Sequence, residues 1–158
     1  MSIIYKSKVK HQILTNIGTA KTISKEIKEC FYPVNNLFWC NELNLYEPFE
    51  EEQYITDFKM SAPLSLTKIK ELLDLFYINQ KLCNDYPKLQ EFSYDFFKKE
   101  FYSLEADINA TILGLKKLRR YKFNKELRQV VKLLEHISKA TSSAYEEILI
   151  EDTHKISI

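Results

Sequence analysis

The sequence predicts an all-α fold, a bundle of four to five helices with a less regular, aromatic-rich segment at about residues 34–60. Three observations carry this. In the stretch 124–150, Leu127, Val130, Val131, Leu134, Ile137, Ala144, Ile148 and Leu149 recur at spacings of three and four, the period of a helix that buries one face. The 158 residues include only two glycines and four prolines, so turns that need positive φ are scarce and long helices are favoured over many short strands. Ten Phe, ten Tyr and one Trp supply rigid apolar bodies to fill the space between helices. This length suits a single helical domain over 1–158. The other division open to it is an N-terminal extension or subdomain, 1–60, packed on a helical core of 65–152.

The elements follow in chain order. Ser2 to Tyr5 is short and apolar and reads as a strand or an arm. From Val9, the residues Ile13, Ile17, Ala20, Ile23, Ile27 and Phe31 mark a first helix. Gly18 weakens it by about 1 kcal/mol relative to Ala, and Pro33 is expected to end it. In 34–60, Asn35-Asn36 reads as a turn and the run from Leu37 to Tyr46 as a hairpin or an irregular packing segment. Pro48 followed by Glu50, Glu51 and Glu52 suits a helix start, because proline fits the first position and acids offset the positive end of the dipole. Ser61-Ala62-Pro63 reads as a connector.

Ser65 is the expected N-cap of the next helix, with Leu66, Ile69, Leu72, Leu73, Phe76 and Cys83 on its inner face. Asn84-Asp85-Tyr86-Pro87 breaks the pattern. A third helix then runs from Tyr86 toward Arg120, with Leu89, Phe92, Phe96, Phe97, Phe101, Leu104, Ile108, Ile112, Leu115 and Leu118 inside. A short link at 121–123 leads to Asn124, whose side-chain oxygen can accept a bond from the first turn of the last helix. Short links favour antiparallel neighbours.

Formal net charge is +1, but it is unevenly spread: residues 96–128 carry nine Lys or Arg against four acids, and residues 31–60 carry six acids against one Lys. The basic cluster Lys116, Lys117, Arg119, Arg120, Lys122, Lys125 and Arg128, interleaved by Tyr121 and Phe123, has the composition of a nucleic-acid contact, most naturally with RNA. Its bland counterpart is a set of cations at a helix C-terminus, facing the acidic stretch from Glu47 to Asp57. Phe38, Trp39, Tyr46 and Phe49 form an expected protein-binding patch, since aromatic anchors are typical of interfaces. Equally, they can cap the open end of the bundle.

The run His136-Ile137-Ser138-Lys139-Ala140-Thr141-Ser142 resembles the histidine-phosphotransfer motif over about seven residues. The resemblance implies that His136 is a phosphoacceptor, with Lys139 one turn on to neutralise phosphoryl oxygens. The family has Gly where Ala140 stands and two further helices after its histidine. A solvated helix face beside Glu135 accounts for the same residues. The small side chains from Ser138 to Ala144 suit close packing inside the bundle or the docking of a partner helix.

No metal site is expected, since His11, His136 and His154 are scattered and no Cys pair or HExxH occurs. Glycine-built phosphate loops and G-x-S-x-G are absent. Cys30, Cys40 and Cys83 make an odd set that suits a reducing compartment. The start has neither a secretory pattern nor a run long enough to span a bilayer. The expectation is a cytoplasmic, non-catalytic accessory, adaptor or inhibitor-type protein. It would act without a cofactor, by binding a protein partner, a nucleic acid or a second copy of itself, and not a membrane.

Overall fold

The computed structural model describes the backbone of residues 3–42 and 48–156, and the side chains of 7–35, 51–118 and 121–151. Over these residues the protein is all-α, with no strand. Four long helices are present: α1 (Ile3–Glu42), α2 (Pro48–Leu82), α3 (Pro87–Lys116) and α4 (Lys125–Ile156), with a 3-10 turn at Arg119–Phe123. Consecutive helices run antiparallel. The main packing pairs are α1 with α2, α3 with α4, α2 with α4 and α1 with α3, and α2 touches α3 less extensively. The molecule is thus two helical hairpins laid face to face, with α1 parallel to α3 and α2 parallel to α4.

The heptad-like apolar positions of each helix meet in one core. Ile13, Ile17, Ala20, Ile23, Ile27, Phe31 and Val34 come from α1, and Phe58, Ile69, Leu72 and Phe76 from α2. Phe97, Phe101, Leu104, Ile108 and Leu115 come from α3, and Leu127, Val130, Val131, Leu134, Ile137 and Ile148 from α4. Phe76 is central, with ring centroids 5.7 Å from Phe97 and 5.2 Å from Tyr77 in edge-on geometry. Phe92 departs from its expected place and stands 53% exposed on the outer face of α3. Its spacing fits the helix period, but the stripe through Phe97, Phe101, Leu104 and Ile108 fixes which side faces inward.

Several sequence expectations are corrected here. The first helix begins at Ile3, so no strand or arm precedes it over 3–5. Neither Pro33 nor Pro63 ends a helix: α1 continues to Glu42 and α2 runs unbroken through Ser61-Ala62-Pro63. Each proline removes one backbone donor at a cost of about 3 kcal/mol. Burial on both sides outweighs that, since Phe31 and Val34 flank the first, and Phe58, Ala62 and Ile69 the second, on a continuous inner face. Pro63 itself points to solvent. Asn35-Asn36 is helical rather than a turn, and Ser65 lies inside α2, where its buried hydroxyl donates to the Ala62 carbonyl at 2.6 Å instead of capping an end. The break at 84–87 stands where expected, with Tyr86 at the N-cap and Pro87 opening α3.

Polar groups set the register between helices. Asn79, fully buried on α2, donates to the Ser93 hydroxyl of α3 (3.2 Å) and to the Ile13 carbonyl of α1 (3.3 Å). It accepts from the Asn16 amide at 2.8 Å, and Asn16 in turn accepts from Gln12 at 2.9 Å. One side chain therefore ties three helices at a single level. Further along, Ser24 donates to Glu100 (2.6 Å) and Thr111 donates to Asn35 (2.8 Å), holding α1 alongside α3. Lys68 of α2 donates to Glu26 of α1. That bond, against some desolvation, holds the Lys68 ammonium above its ordinary value.

Two stability outcomes follow from this packing. Asn79→Ala leaves Asn16 and Ser93 short of a partner inside the core, so unfolding by denaturant should show a loss of about 1–3 kcal/mol; a loss under about 0.5 kcal/mol would mean that these bonds are replaceable. Gly18 lies exposed inside α1, with nothing within 4 Å of an added Cβ. Gly18→Ala should therefore raise stability by roughly 0.5–1 kcal/mol, and a lower melting temperature for that variant would contradict the helix assigned to this stretch.

Candidate anion-binding face on the fourth helix

Asn124 caps α4 as its sequence predicts: the Leu127 amide donates to Asn124 Oδ1 at 3.1 Å. From that cap, burial of Leu127, Val130, Val131, Leu134, Ile137, Ala144 and Ile148 fixes the rotation of the helix. The opposite side must then face water. It carries Lys125, Arg128, Lys132, His136 and Lys139, all exposed, at steps of three, four, four and three. At about 100° per residue these five fall within an arc of roughly 80°, on a ridge roughly 21 Å long.

The charge on this face is not cancelled from within. Residues 116–139 contain nine Lys or Arg and two acids, Glu126 and Glu135. Both acids are engaged: Glu126 with Lys59 of α2, and Glu135 with Lys116 of α3 at 3.8 Å. Among the described residues Lys117, Lys122, Lys125, Arg128, Lys132 and Lys139 form no ion pair or side-chain hydrogen bond. The bland expectation that this cluster meets the acids of 47–57 finds no such contact from Lys117, Lys122, Lys125 or Arg128. Lys116 makes none either: its partner is Glu135 of α4.

The 3-10 turn that leads into α4 adds an unusual side chain. Tyr121 packs partly against the core, but Phe123 is 87% exposed. It stands between the exposed Lys122 and, one residue past the cap, Lys125. The backbone of Arg119 and Arg120 belongs to the same turn; their side chains lie outside the described residues.

Beside the ridge, Lys59, Gln129, Lys132, Leu133 and His136 line a shallow groove of about 580 Å³ between α2 and α4. Leu133 is the one apolar residue among the five that line it; Lys59 and Lys132 supply cations. Lys59 also donates to Gln129 Oε1 at 2.9 Å, which holds that side of the groove in place. His136 thus sits with the basic residues rather than apart from them. The helix that bears it runs to Ile156.

Part of the small-residue run beyond His136 is taken up in packing, and Ala140 and Ser143 line a groove against α2. Ser138 donates to Asn109 (2.8 Å) and Ser142 to Glu105 (2.7 Å), both on α3, and Thr141 donates to the Ile137 carbonyl. Ala144 is buried.

Of the aromatic patch expected at Phe38, Trp39, Tyr46 and Phe49, the side chains lie outside the described residues, as does the whole of Tyr46. The helical backbone at 38, 39 and 49 belongs to the end of the bundle that also holds the α3–α4 turn. At the far end, a second cleft of about 530 Å³ opens between the α2–α3 turn and α4, lined by Tyr77, Gln80, Asn84, Gln90 and Glu151 among others. Burial raises the Tyr77 phenol above its ordinary value, helped by the carboxylates of Glu147 and Glu151.

Among the described residues no group of three or more His, Cys, Asp or Glu is placed to hold a metal ion, and none of their helices is long and apolar enough to cross a membrane. Reading the cluster as a block stopped it at Arg128. Counting every third or fourth residue along α4 extends it through Lys132 and His136 to Lys139, and that periodicity was the available signal. No family model, no curated protein and no solved structure matches the chain.

Proposed function

We propose that the protein is a non-catalytic helical accessory protein that works by binding an anionic macromolecule along the outer face of α4. The observation that supports this reading is the set of unpaired cations, Lys125, Arg128, Lys132 and Lys139, aligned on one ridge of a molecule whose net charge is only +1. On an exposed helix face, acids three or four residues away can offset such charges. Here the two available acids are turned to other helices. Like charges left side by side repel one another, and a partner that neutralises them gains from counterion release as well as from direct contact.

The role assigned to the fold is that of a rigid support. A ridge on a capped, well-packed helix keeps its charges in fixed register, so ordering them on binding costs little conformational entropy.

Heparin serves as a charge-only probe. Wild-type protein should bind it in low salt and release it steeply as salt rises. The double variant Arg128→Glu, Lys132→Glu should bind at least about tenfold more weakly with an unchanged melting curve, a difference of roughly 1.4 kcal/mol or more. Lys10→Glu, Lys25→Glu makes the same charge change on the exposed side of α1 and should have a much smaller effect. Equal losses from the two pairs, or no binding by wild type, would refute a localised face.

A further inference from the structure

We infer that the anionic partner is a single-stranded nucleic acid, its backbone lying along the α4 ridge and one base stacked on Phe123. The inference rests on the ridge being the binding face, and adds the class of occupant.

Phe123 has the highest exposure of any large apolar side chain among the described residues, 87%. The bundle makes little use of it, while its neighbour Tyr121 packs inward. It stands where the ridge begins, beside Lys122 and Lys125. A phenyl ring offered to water next to a row of cations matches what an unstacked nucleotide presents: the flat π-face of a base and, across the sugar, a phosphate. The ridge spans roughly 21 Å, the reach of a site of a few nucleotides.

Other polyanions use less of this surface. In a duplex the bases are already stacked on one another, so the ring has no free face to meet. A lipid surface calls for an apolar stripe along the helix, and the ridge positions are Lys, Arg and His throughout. An acidic protein offers carboxylates but needs a pocket of its own to receive the phenyl group.

Four cations on the ridge, Lys125, Arg128, Lys132 and Lys139, set a second expectation. If each neutralises one phosphate of a single strand, the logarithm of the binding constant should fall with the logarithm of salt with a slope of about −3.

The test is fluorescence anisotropy with labelled oligo(U) RNA and oligo(dT) DNA of about twelve nucleotides, beside a duplex of equal length. Wild type should bind the single strands about tenfold or more tighter than the duplex. Phe123→Ala should weaken single-strand binding by about tenfold while leaving heparin binding and the salt slope intact. Arg128→Glu, Lys132→Glu should instead reduce the slope by roughly half. Phe123→Trp keeps a ring in place, so it should retain affinity and show indole quenching on titration beyond that of the wild type, whose indole is Trp39; this variant also carries the test if the alanine variant melts early. Equal affinity for single strand and duplex, together with no effect of Phe123→Ala and no quenching in Phe123→Trp, would overturn the inference and leave the charge-binding face standing. Failure to bind heparin as well would remove both.

Discussion

Burial of one side of α4 is the constraint on which the rest depends. Leu127, Val130, Val131, Leu134, Ile137 and Ile148 are each at most 1% exposed, and burying a side chain of this size is worth about 1.5–3 kcal/mol. No other rotation of the helix could recover that energy. The same six residues therefore dictate what faces outward, and the cationic ridge is a geometric consequence of the apolar stripe behind it. Asn124 fixes where the helix starts, so the phase of both stripes is set from the first turn.

The hydrophobic core alone would tolerate sliding of one helix along another. Register comes from polar groups paired across the seams at defined heights. Asn79 reaches α1 and α3 at once, Thr111 and Asn35 pair at the opposite end of the α1–α3 seam, and Ser138 and Ser142 meet Asn109 and Glu105 across α3–α4. Moved by one turn from its partners, the Asn79 amide would be buried without a bond, at a cost of about 1–3 kcal/mol. The contacts of α3 and α4 in turn hold the 3-10 turn between them, and with it the outward position of Phe123. Support and candidate surface are thus linked through the same seams.

Much of this was legible from the residues in order. The inner faces of α3 and α4, the break at Asn84-Asp85-Tyr86-Pro87 and the cap at Asn124 all follow local chemistry that tertiary contacts do not oppose. The prolines misled because their penalty is local and their compensation is not. Pro33 and Pro63 sit at similar heights in the α1–α2 hairpin, where Ser61 of one helix donates to the Cys30 carbonyl of the other at 3.3 Å, and nothing in their immediate sequence reports the burial of Val34, Phe58 and Ala62. Phe92 misled in the other direction, since helical spacing allows it either side of the stripe. At the surface, the basic cluster was visible as composition, but its extent was not. Lys132, His136 and Lys139 join it only when α4 is turned to show which positions share a face, and the engagement of Glu126 and Glu135 with other helices leaves no trace in the linear sequence.

An anionic ligand must touch the outer face of α4 and the turn before it. Titration of isotopically labelled protein with oligo(U), followed residue by residue through its backbone amide resonances, measures that directly. The shifts are expected to cluster over 117–139, strongest at the outward positions of α4 and around Phe123, with the core-facing amides and the Tyr77 end of the bundle unmoved. A cluster centred instead on the cleft by Gln80 and Asn84, or shifts scattered without a face, would contradict it.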